Sequence, residues 1–196
     1  MATSKLLPPL KGDATGHYRI HIVGNSGTGK TTLGAQLSAI LNVPHVPLDT
    51  IAWLPDWRMR DRPAFQQALL DALGDAPTGW VVDGNYTRLD SGLLDGMATD
   101  LIWLDPPLLL YFPRLLWRTF LRLIRVSPPC SPGCEERASE TFSRDSIVLF
   151  CLQHHGVCRT RYGAQLALDI RMRRLGGWGR EQRTWVEAVR EMAKGE

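Results

Sequence analysis

The sequence predicts an α/β fold, in which a parallel five-stranded sheet carries helices on both faces and a small helical lid. Three observations indicate it. Short apolar runs typical of buried strands alternate with longer segments of helical periodicity. A glycine-rich loop joins the first of these strands to the first helix, and three of the strands end in aspartate. Strands that alternate with helices pair in parallel, because each helix carries the chain back across the sheet.

The expected elements follow the apolar periodicity along the chain. Strands are predicted over residues 18–23, 43–48, 80–82, 101–104 and 167–172. Helices are predicted over residues 30–41, 62–73, 89–97, 109–125, 140–152 and 181–192. Asp61 is placed to cap the second helix, with Pro63 in its first turn. Pro113 should delay the start of helix 109–125 or bend it.

Composition is that of one globular domain. The chain has 196 residues, of which 44% are hydrophobic and 22% charged, and these proportions exclude a disordered or collagen-like protein. The formal net charge of +3 is too small to indicate nucleic-acid binding by itself. Only four of the 23 basic residues are lysine. The arginine excess mildly favours phosphorylated partners, and a compositional bias explains it equally well.

Domain organisation is expected to be simple. Residues 1–16 form a flexible lead-in without a secretory signal, and residues 17–196 form a single domain, with an acceptor flap at about 49–75 and a lid at about 114–140. The most apolar stretch, 101–124, is interrupted by Asp105, prolines and arginines, so no membrane span is expected. The four cysteines lack the density of a secreted disulfide scaffold. We therefore expect a cytoplasmic protein.

The glycine-rich loop matches the P-loop pattern G-x-x-x-x-G-K-[ST] in full. The matching residues are Gly24, Asn25, Ser26, Gly27, Thr28, Gly29, Lys30 and Thr31. Glycines let the backbone wrap a phosphate, and the amides at the start of the following helix point at the anion. Lys30 is predicted to reach the β- and γ-phosphates of ATP, and the Thr31 hydroxyl to ligate Mg²⁺. An apolar strand before the loop and an amphipathic helix after it strengthen the motif.

Carboxylates follow three of the predicted strands. These are Asp49, Asp83 and Asp105, and ligands of open parallel sheets collect at this edge. One carboxylate is expected to organise Mg²⁺, and Asp83 is the first candidate. An aspartate after a strand is also a common cap or turn residue, and this alternative is strongest for Asp105.

A basic stripe runs along the predicted helix 109–125. Arg114, Arg118, Arg122 and Arg125 fall within about 80° of one another at 100° per residue. No acidic residue occurs between 106 and 133 to neutralise them. Such a stripe predicts a clamp that closes on the triphosphate. The alternative is a solvated face paired with acids from elsewhere, such as Glu135.

These residues together resemble the adenylate-kinase-related P-loop proteins often called DNA topology modulation proteins. The resemblance covers about residues 18–150, and its most specific part is the run 83–86 (Asp-Gly-Asn-Tyr) combined with Trp53 and Trp57. It implies that Asp83 organises Mg²⁺ and that Arg114 and Arg118 touch the adenine and the transferred phosphoryl group. It further implies that residues 49–62 bind the acceptor, and that Arg159 or Arg161 returns to the phosphates.

The sequence departs from adenylate kinases after the third strand. They carry Asp-Gly-Phe-Pro-Arg, whereas this chain places Arg88 one position out of register with the acceptor arginine. AMP is therefore doubtful as the acceptor. Nothing in the residues reads DNA or specifies an oligomeric state.

The smaller motifs leave alternatives open. The cysteines lack paired C-x2-C spacing, so ordinary thiols are favoured over zinc. Trp53 and Trp57 either stack on an acceptor ring or pack the flap. Residues 176–179 either form the loop under the adenine or a turn that leads into a helix.

The sequence as a whole predicts an ATP-dependent, Mg²⁺-dependent kinase whose acceptor is a nucleoside monophosphate. Lys30, Asp83, Arg114 and Arg118 are the predicted catalytic residues. The predicted acceptor-binding residues are Asp49, Trp53, Arg58, Asn85, Tyr86 and Arg88. One alternative is a small-molecule kinase of the shikimate or gluconate type, because Asp49 suits an acceptor hydroxyl better than a phosphate. Another is an ATP-switched binding protein that touches nucleic acid.

Overall fold

The computed structural model describes residues 9–74, 76, 78–135 and 146–195. The strands are β1 (Tyr18–Gly24), β2 (His45–Pro47), β3 (Trp53–Leu54), β4 (Arg58–Met59), β5 (Gly79–Asp83), β6 (Asp100–Asp105) and β7 (Met172–Gly176). The helices are α1 (Lys30–Leu41), α2 (Leu48–Ala52), α3 (Arg62–Leu73), α4 (Thr87–Asp90), α5 (Leu93–Met97), α6 (Leu108–Leu123), α7 (Ile147–Leu168) and α8 (Arg180–Lys194). A 3₁₀ turn, Pro55–Trp57, joins β3 to β4.

Five parallel strands form the sheet, in the order β2-β5-β1-β6-β7. The strand that leads into the glycine-rich loop is central, since Ile22 of β1 pairs with Asp83 on one side and Ile102 on the other. The carboxyl ends of β1, β5 and β6 therefore meet at one edge. The α/β fold class predicted from the sequence is confirmed.

Helices cover both faces of the sheet. Ile20 and Ile22 of β1 lie in a core with Leu33 and Leu37 of α1 and with the apolar side of α8. Val23, one position along, lies in a second core with residues of α3, α5 and α7. This alternation along β1 is what a parallel strand buried on both sides requires.

The fifth strand of the sheet lies later than predicted. Residues 167–168 end α7, and the strand is Met172–Gly176, so the prediction of 167–172 was wrong. Only Met172 and Leu175 of this edge strand are fully buried, so its apolar signal is weak. The helical periodicity of the preceding segment continued past the boundary that the sequence suggested.

Among the predicted helices, only 30–41 and 62–73 have the observed bounds. The described part of 140–152 belongs to α7, and 181–192 lies within α8, which begins and ends slightly beyond it. The other two differ as follows. Residues 89–97 form two short helices, because Ser91 and Gly92 take positive φ values of 54° and 83° and break the path. Helix α6 begins at Leu108 and runs through Pro113. The carbonyl that Pro113 leaves without an amide donor belongs to Leu109, which is exposed and open to water.

The first described residues are packed against the domain. Trp185 Nε1 donates to the Pro9 carbonyl at 2.9 Å, and the amides of Lys11 and Gly12 donate to the Asp100 carboxylate. Residues 1–8 of the predicted lead-in lie outside the described residues. So do residues 140–145 of a predicted helix, whose described part belongs to α7, where Ser146 caps the N-terminus. No helix among the described residues is long and apolar enough to cross a membrane.

Candidate active site

The glycine-rich loop runs from the end of β1 into α1. Gly24, Gly27 and Gly29 take φ values of 146°, 84° and 96°, which residues with a side chain rarely adopt. A Cβ on Gly24 would lie 2.5 Å from the carbonyl oxygen of Leu104, so the close approach of β6 also requires glycine there. These constraints shape the anion cradle that the motif predicts.

Lys30 folds back over this loop. Its Nζ donates to the carbonyl oxygens of Gly24 and Asn25, each at 3.0 Å. Burial lowers the pKa of Lys30 from its ordinary value, the carboxylates of Asp83 and Asp49 oppose that shift, and the Arg118 guanidinium adds to it. The Lys30 side chain is thus already held at the loop by two backbone carbonyls.

A hydroxyl and a carboxylate meet beside Lys30. Thr31 Oγ1 donates to Asp83 Oδ1 at 3.0 Å, and Asp83 is buried at the end of β5. The second carboxylate oxygen accepts from His45 Nε2 at 2.8 Å. Hydroxyl and carboxylate oxygens are the ligands that Mg²⁺ prefers, often with waters between. Thr31 and Asp83 therefore fit a magnesium ion at the P-loop.

The arginine-bearing helix α6 lies against the P-loop. Asn25 Nδ2 donates to Tyr111 Oη at 2.9 Å and to the Cys151 carbonyl of α7 at 2.7 Å. A Cβ on Gly27 would lie 3.0 Å from the Cβ of Leu115. Helices α6 and α7 are therefore anchored to the loop by Asn25, one of its variable positions.

A hydrogen-bonded chain continues from Asn25 into α7. Burial raises the pKa of Tyr111 to about 12, so its hydroxyl stays protonated. The pKa of His155 is lowered by burial and by Arg159, and its neutral Nδ1 can accept from Tyr111 at 2.8 Å. The sequence analysis missed Tyr111 and His155. Tyr111 fits the apolar spacing of its helix, and no motif near His155 in the sequence indicates a role.

The four stripe arginines have different environments. The charge of Arg118, whose side chain is partly buried, contributes to the lowered pKa of Lys30. Arg114 is exposed and makes no hydrogen bond or ion pair within the described part of the chain. Arg122 is partly buried. Arg125 pairs with Glu135 at 2.9 Å on the surface, in the way that the solvated-face alternative expects for that residue.

The two later arginines are held by other elements. Arg159 Nε donates to Asp105 Oδ1 at 2.8 Å. Arg161 Nη1 donates to the Thr87 hydroxyl at 2.7 Å. Asp105, which also pairs with Arg174, is therefore the centre of an ion-pair group at the end of β6.

The predicted acceptor side carries a second hydrogen-bonded chain. Trp53 Nε1 donates to Tyr86 Oη at 2.8 Å, and Tyr86 Oη donates to Asp49 Oδ1 at 2.7 Å. Trp57 packs edge-on against Trp53, with ring centroids 5.5 Å apart. Burial and the Asp49 charge both raise the pKa of Tyr86, so this hydroxyl remains a donor. The structure thus brings together Asp49, Trp53 and Tyr86 of the predicted acceptor set.

The other predicted acceptor residues, Asn85, Arg58 and Arg88, are not part of this series of hydrogen bonds. Asn85 is bonded in both directions to Gly24, whose amide donates to Oδ1 at 3.1 Å and whose carbonyl accepts from Nδ2 at 2.6 Å. Its amide therefore holds the start of the P-loop. Arg58 and Arg88 are exposed, and Arg58 Nε donates to the carbonyl of Pro55 at 3.4 Å.

The flap hairpin β3–β4 touches the segment that follows α6. Four hydrogen bonds join them: Ser131 Oγ to the Trp53 carbonyl, Cys134 Sγ to the Leu54 carbonyl, the Asp56 amide to the Gly133 carbonyl and Trp57 Nε1 to the Glu135 carbonyl. The predicted flap and the described part of the predicted lid are thus in direct contact. Residues 136–140 of the lid lie outside the described residues.

Two smaller features of the sequence are the cysteines and the loop after β7. None of the four cysteines, all of which the structure describes, forms a disulfide. The described ranges contain no group of three or more His, Cys, Asp or Glu side chains able to hold a metal. The amide of Gly176 donates to Glu181 at 3.1 Å at the start of α8, and Trp178 is exposed.

A phosphate-binding loop on the central strand of a parallel sheet, flanked by an acid on the neighbouring strand, defines the chain as a P-loop protein. No protein-family model matches it, and no curated protein matches it significantly. Shikimate kinase from Bacteroides thetaiotaomicron is 17% identical with a TM-score of 0.51, over 90% of this chain and 97% of that chain. The chain therefore has the α/β fold of a P-loop kinase.

Two further solved structures align at lower scores. A gluconokinase from Sinorhizobium meliloti is 13% identical with a TM-score of 0.49, over 92% of this chain and 95% of that chain. An uncharacterized protein from Eubacterium ventriosum is 12% identical with a TM-score of 0.48, over 92% and 100%. The more specific resemblance to DNA topology modulation proteins stays a prediction.

Proposed function

We propose that this protein is an ATP-dependent kinase that transfers the γ-phosphoryl group to a hydroxyl of a small molecule. The observation that carries the proposal is the placement of Asp49. Its carboxylate accepts a hydrogen bond from the Tyr86 hydroxyl at 2.7 Å, and its charge acts on Lys30. An acid held by hydrogen bonding near the phosphate-binding lysine supports an acceptor site at Asp49.

The nucleotide side needs little covalent chemistry from the protein. In phosphoryl transfer the protein positions the groups and neutralises charge. The loop amides and Lys30 bind the β- and γ-phosphates, and Arg118 adds positive charge over them. Thr31 and Asp83 would hold Mg²⁺, which would supply positive charge to the transferred phosphoryl group.

The acceptor side favours a hydroxyl over a phosphate. An ionised carboxylate only accepts hydrogen bonds, so Asp49 can accept from an acceptor hydroxyl and orient its oxygen towards the γ-phosphorus. As the new O–P bond forms, the bond from the γ-phosphorus to the bridging oxygen breaks, ADP leaves, and Asp49 takes the hydroxyl proton. A dianionic acceptor phosphate at the same place would be repelled. The acceptor is thus a hydroxylated small molecule, and Trp53 offers it an aromatic wall.

The nucleoside monophosphate acceptor of the sequence analysis is the second candidate. Arg58 and Arg88 are exposed on the acceptor side, where an acceptor phosphate could recruit them. This candidate requires both arginines to bind the acceptor phosphate despite the charge of Asp49.

The experiment is a screen of phosphoryl acceptors with ATP and Mg²⁺, comparing hydroxy acids, sugars and polyols with nucleoside monophosphates. With the best acceptor, Asp49→Asn should lower kcat/KM by about 100-fold or more, in the range of a lost positioned base. The matched control is Asp71→Asn, an exposed acid of α3 that accepts a hydrogen bond from Gln67. Turnover confined to nucleoside monophosphates and insensitive to Asp49→Asn would overturn the hydroxyl proposal.

A further inference from the structure

A histidine outside the P-loop motif contacts Asp83. His45 begins β2, which pairs with β5 and ends opposite Asp83. Its Nε2 lies 2.8 Å from Asp83 Oδ2, and a carboxylate oxygen accepts, so the imidazole donates. The histidine side chain is only 14% exposed and the aspartate 5%, so water competes little for this bond.

The two oxygens of Asp83 are therefore both engaged by the protein. Oδ1 accepts from the Thr31 hydroxyl at 3.0 Å, and Oδ2 accepts from His45. Two donors from two different elements, α1 and β2, fix the plane of the carboxylate. Mg²⁺ demands near-ideal octahedral geometry and tolerates a misdirected ligand poorly. The orientation of this carboxylate thus bears directly on metal binding.

A glycine inside α1 makes room for the histidine. Gly34 lies one turn after Thr31 in a helix where glycine costs about 1 kcal/mol relative to alanine. A Cβ at this position would overlap His45 Nε2 and its ring neighbours. Gly34 is buried, and its φ value is not positive, so its backbone conformation does not require glycine. The helix therefore accepts an unfavourable residue at the place where the imidazole must pass to reach Asp83.

We infer that His45 is a positioning residue that orients the Asp83 carboxylate for the nucleotide-bound metal, and that Gly34 provides the space it needs. The inference rests on the proposed function, because it presumes that Asp83 organises Mg²⁺ beside ATP. His45 acts through Asp83, the side chain that it contacts. Partners of this kind, which hold a metal-organising group, change metal affinity or activity by about 10–100-fold when they are lost.

The test uses three variants of the full chain. His45→Leu removes the donor at similar bulk, and His45→Gln retains an N–H donor of similar reach. Gly34→Ala displaces the imidazole without changing His45 or Asp83. Gly163→Ala is the matched control, because Gly163 is also helical and a Cβ there meets nothing within 4 Å.

ATP binding is measured by calorimetry across a series of Mg²⁺ concentrations and in EDTA. His45→Leu and Gly34→Ala should raise the half-saturating Mg²⁺ concentration about 10-fold or more and leave the affinity for ATP in EDTA unchanged. His45→Gln and Gly163→Ala should stay within about threefold of the original protein. If His45→Leu fails to fold, Gly34→Ala and His45→Gln carry the comparison.

The failures are distinguishable. A Mg²⁺ response of the original chain that His45→Leu and Gly34→Ala leave unchanged overturns the positioning role alone. If the original chain binds ATP without any response to Mg²⁺, the proposed kinase site fails, and the positioning role fails with it.

Discussion

The ion-pair group at Asp105 gives a prediction whose magnitude follows from the structure. Asp105 Oδ1 accepts from Arg159 Nε at 2.8 Å, and Oδ2 accepts from Arg174 Nε at 2.9 Å and Nη2 at 2.6 Å. The carboxylate is 5% exposed, whereas the arginine side chains are 44% and 48% exposed. In Asp105→Asn the acid is lost but the guanidinium groups can still be hydrated.

This difference in exposure between the carboxylate and the two arginines determines the expected loss of stability. Breaking a fully buried ion pair costs about 3–5 kcal/mol, because a buried charge is left alone. Here the released charges reach water, so the loss is nearer to that of hydrogen bonds to charged groups, about 1.5–3 kcal/mol. We expect about 2 kcal/mol, which in a domain of this size lowers Tm by about 4–8 °C.

Thermal unfolding followed by circular dichroism measures this difference. Asp71→Asn, the exposed-acid control, should stay within about 0.5 kcal/mol of the original protein. An Asp105→Asn variant that melts within about 1 °C of the original would refute the reasoning, because the three contacts would then be worth no more than the burial cost of the carboxylate.

Three further predictions concern burial, backbone and pH. Phe65→Ala, at a fully buried position of α3, should cost about 3–5 kcal/mol in chemical unfolding, and a loss below 1 kcal/mol would contradict the core packing. Gly24→Ala should abolish ATP binding in a calorimetric titration, because its Cβ would meet the Leu104 carbonyl. Gly16→Ala has a positive φ but open space, so it should cost only the backbone strain of about 1–2 kcal/mol and leave ATP binding intact, and equal effects of the two would contradict this. Burial raises the pKa of Asp90 above its ordinary 3.8, so its charge opposes folding increasingly as pH rises from 3.8 through the folded-state pKa. Asp90→Asn should therefore gain stability relative to the original protein on going from pH 4.5 to pH 7.5, and a constant difference in urea unfolding would count against the shift.

The elements that the sequence predicted correctly are those specified by residues close together in the chain. The P-loop, the central strands and α1 follow from residues adjacent in the chain, and the structure places them as expected. The last strand was misplaced because β7 is short and polar at the edge of the sheet, so that tertiary pairing with β6 decides it. The break at Ser91 and Gly92 depends on positive φ values that the apolar pattern does not encode.

The candidate site divides in the same way. Lys30, Thr31 and Asp83 could be predicted, because a contiguous motif and a strand end mark them. Partners brought in from far along the chain could not. Asn25 reaches Cys151 across 126 positions, and only the packing of α7 against the loop brings them together. The contact between His45 and Asp83 joins two different strands, so the sequence did not indicate it. Gly34, a glycine inside a helix, is related to this contact, but the relation is clear only from the structure, where the His45 ring occupies the space of a Cβ.

The measurement that tests the central claim most directly follows the γ-phosphoryl group of labelled ATP into a panel of hydroxylated small molecules, with Mg²⁺ present. We expect label on one class of hydroxyl acceptor, abolished by Lys30→Ala and unaffected by Lys194→Ala, an exposed lysine at the end of α8. ATP binding without transfer to any acceptor would contradict the kinase account and favour a nucleotide-switched binding protein.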